Sequence, residues 1–484
     1  MPRNDLERMF APKSVAVVGA KQIDPTLPYL GMFGAIQQCG YKGRLYPINR
    51  NLPAVNGVKA YPNLMSLPEP VDLVIISVPA PAVPDVLNDC VASGNKNIHI
   101  FTAGFKETGE PDGLRFQKEI EEIAVSNDLR VIGPNCMGIC VPELRLATWN
   151  NPVDVTGPVS FVSQSGGHAQ DFSNYAADLG IGFSKIVSFG NALTLDSTDF
   201  LNYLAQDPKT EIIAMYLEGV KDGRKLMDQI KRINPVKPVV IIKGGLTKSG
   251  THAVASHTGS MAGEEQFWRA FFRQTGAIRA HSLEDMAHTI LALLRLDRTQ
   301  GKGVCVFGSG GGVVVAISDA CSRIGLDLPP FSSEMQQSLR KFIPEAGNMI
   351  KNPLDAHQII LEADKYLAKT LDLIHRAPDI HMVIISLHTD WMGPQLMPKV
   401  VSAIKTIVPA HLKEKPFVVC WRQTRRDQET RLAAMRLEKE LSESGIPVYR
   451  SFEDAALALA RFSDYHLYYA GGGESGTEKI RMAS

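Results

Sequence analysis

A histidine, His257, lies among small residues in the stretch VASHTGSMAGEEQFW, just before a predicted apolar helix. The first N–H groups of a helix have no intrahelical partner, and the helix dipole adds positive potential there, so this position suits an anion. A histidine in this setting has the chemistry of a phosphate carrier, but it could equally be an incidental loop residue. The residues expected around His257 decide between these two interpretations.

Three further loops carry polar groups directly after predicted strands. Glu218 ends a strand predicted at 211–217, Asn191 follows the preceding strand, and Ser165 opens a helix in SQSGGHAQ. Because the carboxyl ends of parallel strands meet at one edge of a sheet, we expect these groups to share a rim with His257. A carboxylate beside an imidazole fixes its tautomer and stabilises its positive charge, which a histidine that attacks a phosphoryl group requires. The pattern therefore favours phosphate chemistry.

Two helix starts supply the candidate phosphate-binding groups. Their residues are Ser165, Gly166, Gly167, Gly259 and Ser260. At the first start, a capping serine with glycines that serve packing would explain the same residues equally well. His168, inside that helix, is expected to face solvent, although its ring could also reach the pocket. No His, Cys, Asp or Glu cluster has metal-ligand spacing, so no metal site is predicted.

The N-terminal region predicts a nucleotide-binding fold that does not suit NAD. SVAVVGAKQID is a strand with a turn at Gly19, but the G-x-G-x-x-G fingerprint is absent. The second strand ends in Asn49 and Arg50 rather than in the acidic residue that holds the NAD ribose. Arg50 suits a ribose phosphate, as in CoA or NADP, although a solvated loop arginine explains it at least as well. Later loops with small residues and prolines would admit an extended ligand; they are Val78-Pro79-Ala80, Thr102-Ala103-Gly104-Phe105 and Gly133-Pro134-Asn135-Cys136.

Short β-branched runs alternate with helical patterns along the chain, which is typical of parallel sheets built from βαβ units. Strands are predicted at 14–19, 44–48, 72–78, 97–102, 129–132, 158–163, 184–188, 211–217, 238–243, 303–308, 381–388, 416–421 and 447–450. Polar boundaries predict three α/β domains, at 1–147, 148–298 and 301–470, and a disordered tail at 471–484. The second and third domains both open with a strand, a glycine-rich turn and a helix, which suggests a shared architecture.

Composition argues against several classes of function. Lys plus Arg and Asp plus Glu both number 51, so the formal net charge of zero gives no support for binding to nucleic acid or an anionic membrane. The longest apolar runs are too short to span a bilayer, and the N-terminus lacks the apolar core of a signal peptide. Seven cysteines without CxxC pairs indicate reduced thiols and a cytoplasmic protein.

Several segments, in this order, resemble the ADP-forming acyl-CoA synthetases, especially the alpha chain of the two-subunit acetyl-CoA synthetases, and more distantly the succinyl-CoA synthetase alpha chain. They are LERMFAPKSVAVVGA, YPINRN, AGFKETGE, IGPNCMGI, SQSGG, GNALTLDSTDF, YLEGVKDGR, SHTGSMAG and NPLDA. The resemblance covers residues 5 to about 465. It implies a Rossmann-like CoA-binding domain followed by two flavodoxin-like domains.

The resemblance also implies a reaction, acyl-CoA + ADP + phosphate ⇌ carboxylic acid + CoA + ATP, which proceeds through an acyl phosphate and a phosphohistidine. In that scheme His257 carries the phosphoryl group, Glu218 supports it, and the helix start at Ser165 cradles the phosphate. The CoA loops match Gly19, Ala20, Lys21, Gln22, Thr102, Ala103 and Gly104, and further candidate contacts are Asn49, Arg50, Pro79 and Asn135.

Part of the machinery for this reaction is not found in the sequence. No segment resembles an ATP-grasp nucleotide domain, and GSGGGVVVA at 308–316 lacks the Lys-Ser/Thr of a Walker A motif. The resemblance therefore implies an ATP-grasp beta subunit that binds ADP or ATP with Mg, in an alpha2beta2 assembly. Two alternatives are a non-catalytic CoA-binding regulatory protein of the same fold and an NADP-dependent oxidoreductase, which the missing glycine fingerprint disfavours.

Overall fold

The fold is given by a computed structural model that describes residues 3–23, 31–247, 249–250, 264–308, 310–344, 349–411, 415–424 and 427–470. The chain forms two compact units, Met1–Met286 and Ala287–Ser484. Both units contain parallel sheets with intervening helices, which confirms the predicted α/β class. The tail at 471–484, predicted to be disordered, lies outside the described residues.

The first sheet is built from the N-terminal elements of the first unit. They are α1 (Arg3–Phe10), β1 (Ser14–Val18), α2 (Gly31–Cys39), β2 (Arg44–Ile48), β3 (Ala54–Val55), β4 (Val58–Lys59), β5 (Leu73–Ile76), α3 (Val83–Ala92), β6 (Asn97–Ile100), α4 (Pro111–Ser126) and β7 (Arg130–Ile132). Five parallel strands lie in the order β2-β1-β5-β6-β7, and β3 and β4 form a separate antiparallel pair. The strand order reverses beside β1, and ligands of open α/β sheets bind at the carboxyl ends of strands at such a point.

The second sheet follows in the same unit. Its elements are β8 (Gly138–Val141), β9 (Leu146–Ala147), β10 (Thr156–Ser163), α5 (Gly166–Asp178), β11 (Phe183–Ser188), α6 (Ser197–Ala205), β12 (Ile212–Leu217), α7 (Gly223–Ile233), β13 (Val239–Lys243), α8 (Glu265–Thr275) and β14 (Ile278–Ala280). The next helix, α9 (Leu283–Arg295), contains the boundary between the two units. The strand order is β14-β13-β12-β10-β11-β8-β9, whose five parallel strands have the flavodoxin-like order. β8 pairs antiparallel with β11, and β9 antiparallel with β8.

The third sheet belongs to the second unit. The strands are β15 (Val304–Phe307), β16 (Met382–His388), β17 (Phe417–Arg422) and β18 (Val448–Tyr449), all parallel and in this order. The helices are α10 (Gly311–Ile324), α11 (Ser333–Arg340), α12 (Gln358–Leu361), α13 (Ala363–His375), α14 (Thr389–His411), α15 (Gln428–Glu443) and α16 (Phe452–Ala470). Single parallel bridges join Phe307 to Leu354 and Gly303 to Asp327 at β15.

Every strand predicted from the sequence coincides with an observed strand. The strands that were not predicted are β3, β4, β8, β9 and β14, which have two to four residues each. Residues 138–147, which the sequence analysis assigns to the first domain, pair with the second sheet through β8 and β9. The predicted domain boundaries themselves stay a prediction. Among the described residues, no helix combines the length and apolarity needed to cross a membrane.

One hydrophobic core joins the first and second sheets. It contains Phe10 and Val15 from the N-terminal region together with Val187 and Phe200 from the second sheet and its helices. The ring of Phe10 stacks on that of Tyr203, with the ring centroids 5.0 Å apart. This shared core fixes the loops of the two sheets relative to each other.

Candidate functional site

Glu218 lies directly after β12, at the carboxyl edge of the second sheet, and only 4 % of its surface is exposed. Its backbone N–H donates to Oε1 of Gln164 at 2.8 Å, and its carbonyl accepts from Nζ of Lys243 at 2.9 Å. Its Oε1 accepts from the hydroxyl of Tyr216 at 3.3 Å. Since Gln164 follows β10 and Lys243 ends β13, the strands on both sides of β12 hold this residue in place.

The N-cap of helix α5 comes directly after Gln164, the residue that accepts from the backbone N–H of Glu218. Ser165 is the N-cap, and its Oγ accepts from the backbone N–H of His168 at 3.3 Å and lies 3.1 Å from Nδ1 of that histidine. The ring of His168 stacks on Tyr216 with the ring centroids 4.2 Å apart. The prediction that His168 faces solvent is therefore wrong, because its ring packs between the helix start and the Tyr216–Glu218 pair.

The two glycines at the start of α5 differ in their surroundings. A Cβ at Gly166 would lie 2.5 Å from Cγ of Met137, so packing requires a small residue there. A Cβ at Gly167 would meet no atom within 4 Å. Packing thus explains Gly166 but not Gly167, which lies in the first helical turn, where backbone N–H groups lack intrahelical acceptors.

Lys243 is a buried cation beneath Glu218 that the sequence analysis missed. Its Nζ donates to the carbonyls of Glu218 and Gly244 and lies 5.3 Å from the ring centroid of Trp268. Burial lowers the pKa of Lys243 to about 8, against the opposing effect of the Glu218 carboxylate. Burial, and then the Glu218 carboxylate, raises the pKa of Tyr216 above its ordinary value, so this hydroxyl stays a donor at neutral pH. Lys243 is the last residue of β13 and Tyr216 the penultimate residue of β12, and the apolar runs to which they belong give no signal of a site.

His257, Gly259 and Ser260 lie outside the described residues, so their roles stay predictions. The strand that precedes them, β13, ends at Lys243, and Lys243 pairs with Leu217 of β12. The chain therefore leaves the sheet next to Glu218 on its way to His257.

The loops at the carboxyl edge of the first sheet bring together most of the predicted CoA contacts. Gly19 has φ of 84°, and a Cβ on it would lie 2.3 Å from the carbonyl oxygen of Ser77, so only glycine fits where β1 meets β5. The hydroxyl of Thr102 donates to the carbonyl of Val78 at 2.6 Å, and the N–H of Asn135 donates to the carbonyl of Thr102 at 2.9 Å. The residues that this edge collects are Gly19, Ala20, Pro79, Thr102, Ala103, Gly104 and Asn135.

The remaining predicted CoA contacts lie around the turn after β2 and the loop after β1. Nδ2 of Asn49 donates to the carbonyl of Ala20 at 2.8 Å, which gives this residue a structural role in joining the two loops. Lys21 and Arg50 are exposed. Oε1 of Gln22 accepts from the backbone N–H of Asn56, in the turn between β3 and β4, at 2.9 Å. Their contact with CoA stays a prediction.

The two carboxyl edges meet at the loop after β11. The backbone N–H of Asn191 donates to the carbonyl of Pro134 at 3.0 Å, and that of Leu193 donates to the carbonyl of Gly133 at 2.8 Å. A Cβ on Gly190 would lie 2.2 Å from the carbonyl oxygen of Asn135, so the two loops are in close backbone contact.

A cavity of about 240 Å³ adjoins this junction, lined among others by Lys106, Gln164, Asn191, Gly219 and Lys221. It links the loop after β6 to the surroundings of Glu218. A larger cavity of about 370 Å³ is lined by Cys39, Cys140, Arg145 and their neighbours and by none of the predicted site residues. Among the described residues, no three His, Cys, Asp or Glu side chains converge in a way that could hold a metal ion.

Three family models match successive parts of the chain. A CoA-binding domain matches residues 13–142, a succinyl-CoA ligase-like flavodoxin domain matches 156–293, and a ligase-CoA domain matches 304–453.

Curated relatives are similar over most of the chain. The alpha subunit of ADP-forming acetate–CoA ligase II of Pyrococcus furiosus is 33% identical over 453 residues, which cover 94% of this chain and 96% of that subunit. The ADP-forming acetate–CoA ligase I of Archaeoglobus fulgidus is 38% identical over 351 residues, which cover 72% of this chain but 50% of that protein. The chain thus spans about half the length of the second relative.

Solved structures agree over the full length. The dinucleotide-forming acetyl-coenzyme A synthetase 1 of Candidatus Korarchaeum cryptofilum, solved in complex with phosphate and ADP, superposes with a TM-score of 0.83 at 31% identity. The superposition covers 98% of this chain and 100% of that chain.

Proposed function

The chain belongs to the family of the ADP-forming acetate–CoA ligases, and on this premise we propose that it is the alpha subunit of an acid–CoA ligase. The reaction interconverts acyl-CoA, ADP and phosphate with a carboxylic acid, CoA and ATP. The observation that carries the proposal is the buried carboxylate of Glu218, held at a strand end beside the start of α5. An anion site next to a fixed carboxylate is what a transient phosphohistidine needs.

Two transfers on this chain make up the proposed chemistry. A phosphate oxygen attacks the thioester carbonyl, the C–S bond breaks, and CoA leaves as its thiolate, so that an acyl phosphate forms. An imidazole nitrogen of His257 then attacks the phosphorus, the P–O bond to the acyl group breaks, and the carboxylic acid leaves as its carboxylate.

Three groups of this chain serve those transfers in our proposal. Glu218 stabilises the positive charge on phosphorylated His257. The N–H groups of Gly166 and Gly167 at the start of α5 bind the phosphoryl oxygens together with the residues Gly259 and Ser260, while Ser165, whose own N–H donates to Oγ of Ser163, serves as the N-cap. Tyr216 keeps the Glu218 carboxylate oriented through the hydrogen bond described above.

CoA is the second substrate that the proposal requires on this chain. The carboxyl edge of the first sheet supports its binding, because the strand order reverses beside β1 and ligands of open α/β sheets bind at such a point. Arg50, which is exposed at the turn after β2, binds the ribose phosphate in our proposal.

The phosphoryl acceptor, ADP with Mg, belongs in our proposal to an ATP-grasp beta subunit in an alpha2beta2 assembly. The support is that the Pyrococcus furiosus relatives, matched over almost their whole length, are alpha subunits. We also infer a cytoplasmic location, since all seven cysteines are free thiols. The three domains would be those with boundaries at 147/148 and 298/301.

Ligand-induced stabilisation separates the proposal from the oxidoreductase alternative. CoA at about 100 times its dissociation constant is expected to stabilise the fold by about 2.7 kcal/mol. NADP is expected to leave the melting temperature unchanged. In calorimetry on the purified chain, stabilisation by NADP and not by CoA would contradict the proposal.

Dephospho-CoA extends this binding test to the proposed role of Arg50. Dephospho-CoA, which lacks the ribose phosphate, is expected to stabilise the wild type less than CoA does, and Arg50→Gln is expected to remove that difference. Arg44→Gln is the matched control, because Arg44 is exposed on the same strand and pairs with Glu69 instead. Binding that is equal for both ligands in the wild type would exclude Arg50 from the CoA site.

A further inference from the structure

The carboxylate of Glu107 joins the carboxyl edges of the first and second sheets. Its Oε1 accepts from the backbone N–H groups of Gly104 at 2.7 Å and Phe105 at 3.1 Å, in the loop after β6. Its Oε2 accepts from Nδ2 of Asn191 at 2.6 Å, in the loop after β11. One side chain thus bonds to two loops that belong to different sheets.

The position of Asn191 is fixed independently of this bond. Only 2 % of its surface is exposed, its backbone N–H is bonded to Pro134, and its Nδ2 lies 3.5 Å from Oε1 of Gln117 on α4. Because an ionised carboxylate only accepts, Glu107 determines that Nδ2 rather than Oδ1 of Asn191 faces it. Asn191 is therefore a rigid anchor, and Glu107 transmits its position to the loop of Gly104.

The loops that Glu107 joins are those that the proposed reaction must align. The Gly104 loop belongs to the edge where CoA is proposed to bind, while the cavity beside Asn191 is lined by Gln164 and Gly219, the neighbours of Glu218. Lys106 lines the same cavity, and burial, followed by the charge of Lys221, lowers its pKa. The bond between Glu107 and Asn191 thus lies between the edge where the CoA thioester is proposed to bind and the proposed phosphate site around Glu218.

We propose that Glu107 is a positioning residue for the reaction: its carboxylate fixes the Gly104 loop to Asn191 and so sets the distance between the CoA thioester and the phosphate site. The inference rests on the proposed function. It predicts that loss of this bond impairs the step that needs both substrates together, whereas phosphorylation of His257 from ATP, which needs no CoA, continues.

Two isosteric substitutions test the bond. Glu107→Gln keeps an oxygen for the N–H groups of Gly104 and Phe105 but turns an amide N–H₂ toward Nδ2 of Asn191, so two donors face each other. Asn191→Asp places two carboxylates 2.6 Å apart. We expect each variant to lower kcat for CoA-dependent acid activation by about tenfold or more, since small displacements of reacting groups cost this much.

The double variant Glu107→Gln/Asn191→Asp restores a donor opposite an acceptor. Glu107→Gln is therefore expected to lower kcat when it is introduced into the wild type. When it is introduced into Asn191→Asp, it is expected to raise kcat by about threefold or more. Glu119→Gln is the matched control, an exposed carboxylate on the adjacent helix α4. Circular dichroism and melting temperature verify that each variant is folded.

Two measurements on the same preparations distinguish the possible failures. Turnover is measured with CoA, acid and ATP in the presence of the beta subunit, and label on His257 is measured with ATP alone. Reduced turnover with label retained, and recovery in the double variant, support the inference. Single variants with wild-type kcat, or an equal loss of label and turnover, would overturn it. An unlabelled wild type with an active partner would overturn the proposed function and the inference together.

Discussion

The second and third sheets open with the same series of elements, and they differ in what surrounds the turn. β10 leads into α5 as β15 leads into α10, each through a glycine-rich turn. Ser165 caps α5 with its side chain, whereas α10 follows Gly310 without a side-chain cap. The neighbouring strand ends in a buried carboxylate, Glu218, in the second sheet and in His388 in the third, where burial lowers the pKa of the imidazole.

The other side of the turn also differs between the two sheets. Beside β10 lies β11, a strand of six residues whose loop carries Asn191 and contacts the first sheet. On the side of β15 that faces away from β16, the described part of the chain forms only the single bridges at Leu354 and Asp327. Both strand–turn–helix units supply a helix start, but in the described residues only the second sheet fixes a buried carboxylate at the adjacent strand end. In our proposal this difference confines the phosphate chemistry to the second sheet.

The largest expected effect comes from removing the charge that distinguishes the second sheet. Glu218→Gln keeps the shape of the side chain but loses the carboxylate that we propose stabilises phosphorylated His257, so phosphoryl transfer should slow by roughly 10²–10³-fold. The measurement is the rate of label transfer from ATP through the beta subunit. Glu211→Gln is the control, because Glu211 is an exposed carboxylate immediately before the same strand. Equal rates for the two variants would remove Glu218 from the mechanism.

A smaller effect is expected from filling the space at the two turns. Gly166→Ala brings a Cβ to 2.5 Å from Cγ of Met137 and should lower the free energy of unfolding by about 1–3 kcal/mol. Gly312→Ala meets no atom within 4 Å and should be neutral or stabilising by up to about 1 kcal/mol. Urea unfolding of both variants checks this. If Gly166→Ala left the free energy of unfolding unchanged, the turn before α5 in the second sheet would be as loosely packed as the turn before α10 in the third sheet.

Because Lys243 is buried, the free energy of unfolding should change with pH in the alkaline range. Its pKa is lowered to about 8 in the fold, so between that value and its ordinary value the unfolded chain binds more protons. The free energy of unfolding should therefore gain a contribution that rises with pH above about 8, at up to roughly 1.4 kcal/mol per pH unit. Lys243→Met should lose this rise, while Lys231→Met, at an exposed position on α7, should keep it. Parallel pH profiles for Lys243→Met and the wild type would exclude Lys243 as its source.

The smallest effects concern the caps. Ser165→Ala removes the oxygen that accepts from His168 and should cost about 1 kcal/mol of stability. Gly310→Ser adds a capping oxygen to α10 and should change stability by only a few tenths of a kcal/mol. Thermal unfolding of the pair compares the two helix starts directly. A larger effect at Gly310 than at Ser165 would reverse the contrast between the sheets.

The strand pattern and the rim of the second sheet could be predicted because parallel strands buried on both faces are continuous apolar runs that end in conspicuous polar residues. Glu218 and Asn191 were found in this way. Lys243 and Tyr216 were not, since each lies inside an apolar run whose periodicity says nothing about hydrogen bonds across strands. The role of Glu107 depends on a contact 84 positions away in sequence, with Asn191, which no local pattern indicates.

Short strands were missed for a related reason. β8 and β9 have four and two residues, and they are stabilised by pairing with β11 and with each other rather than by their own sequence. Such pairing depends on tertiary context, which overrides local propensity.

Phosphorylation of the purified chain shows whether His257 carries a phosphoryl group, as we propose. The chain is incubated with its beta subunit and labelled ATP, and the label is tested for acid lability and base stability in the wild type and in His257→Ala. The account predicts such a label on the wild type and none on the variant. Equal labelling of both, or an unlabelled wild type that still binds CoA beside an active partner, would contradict it.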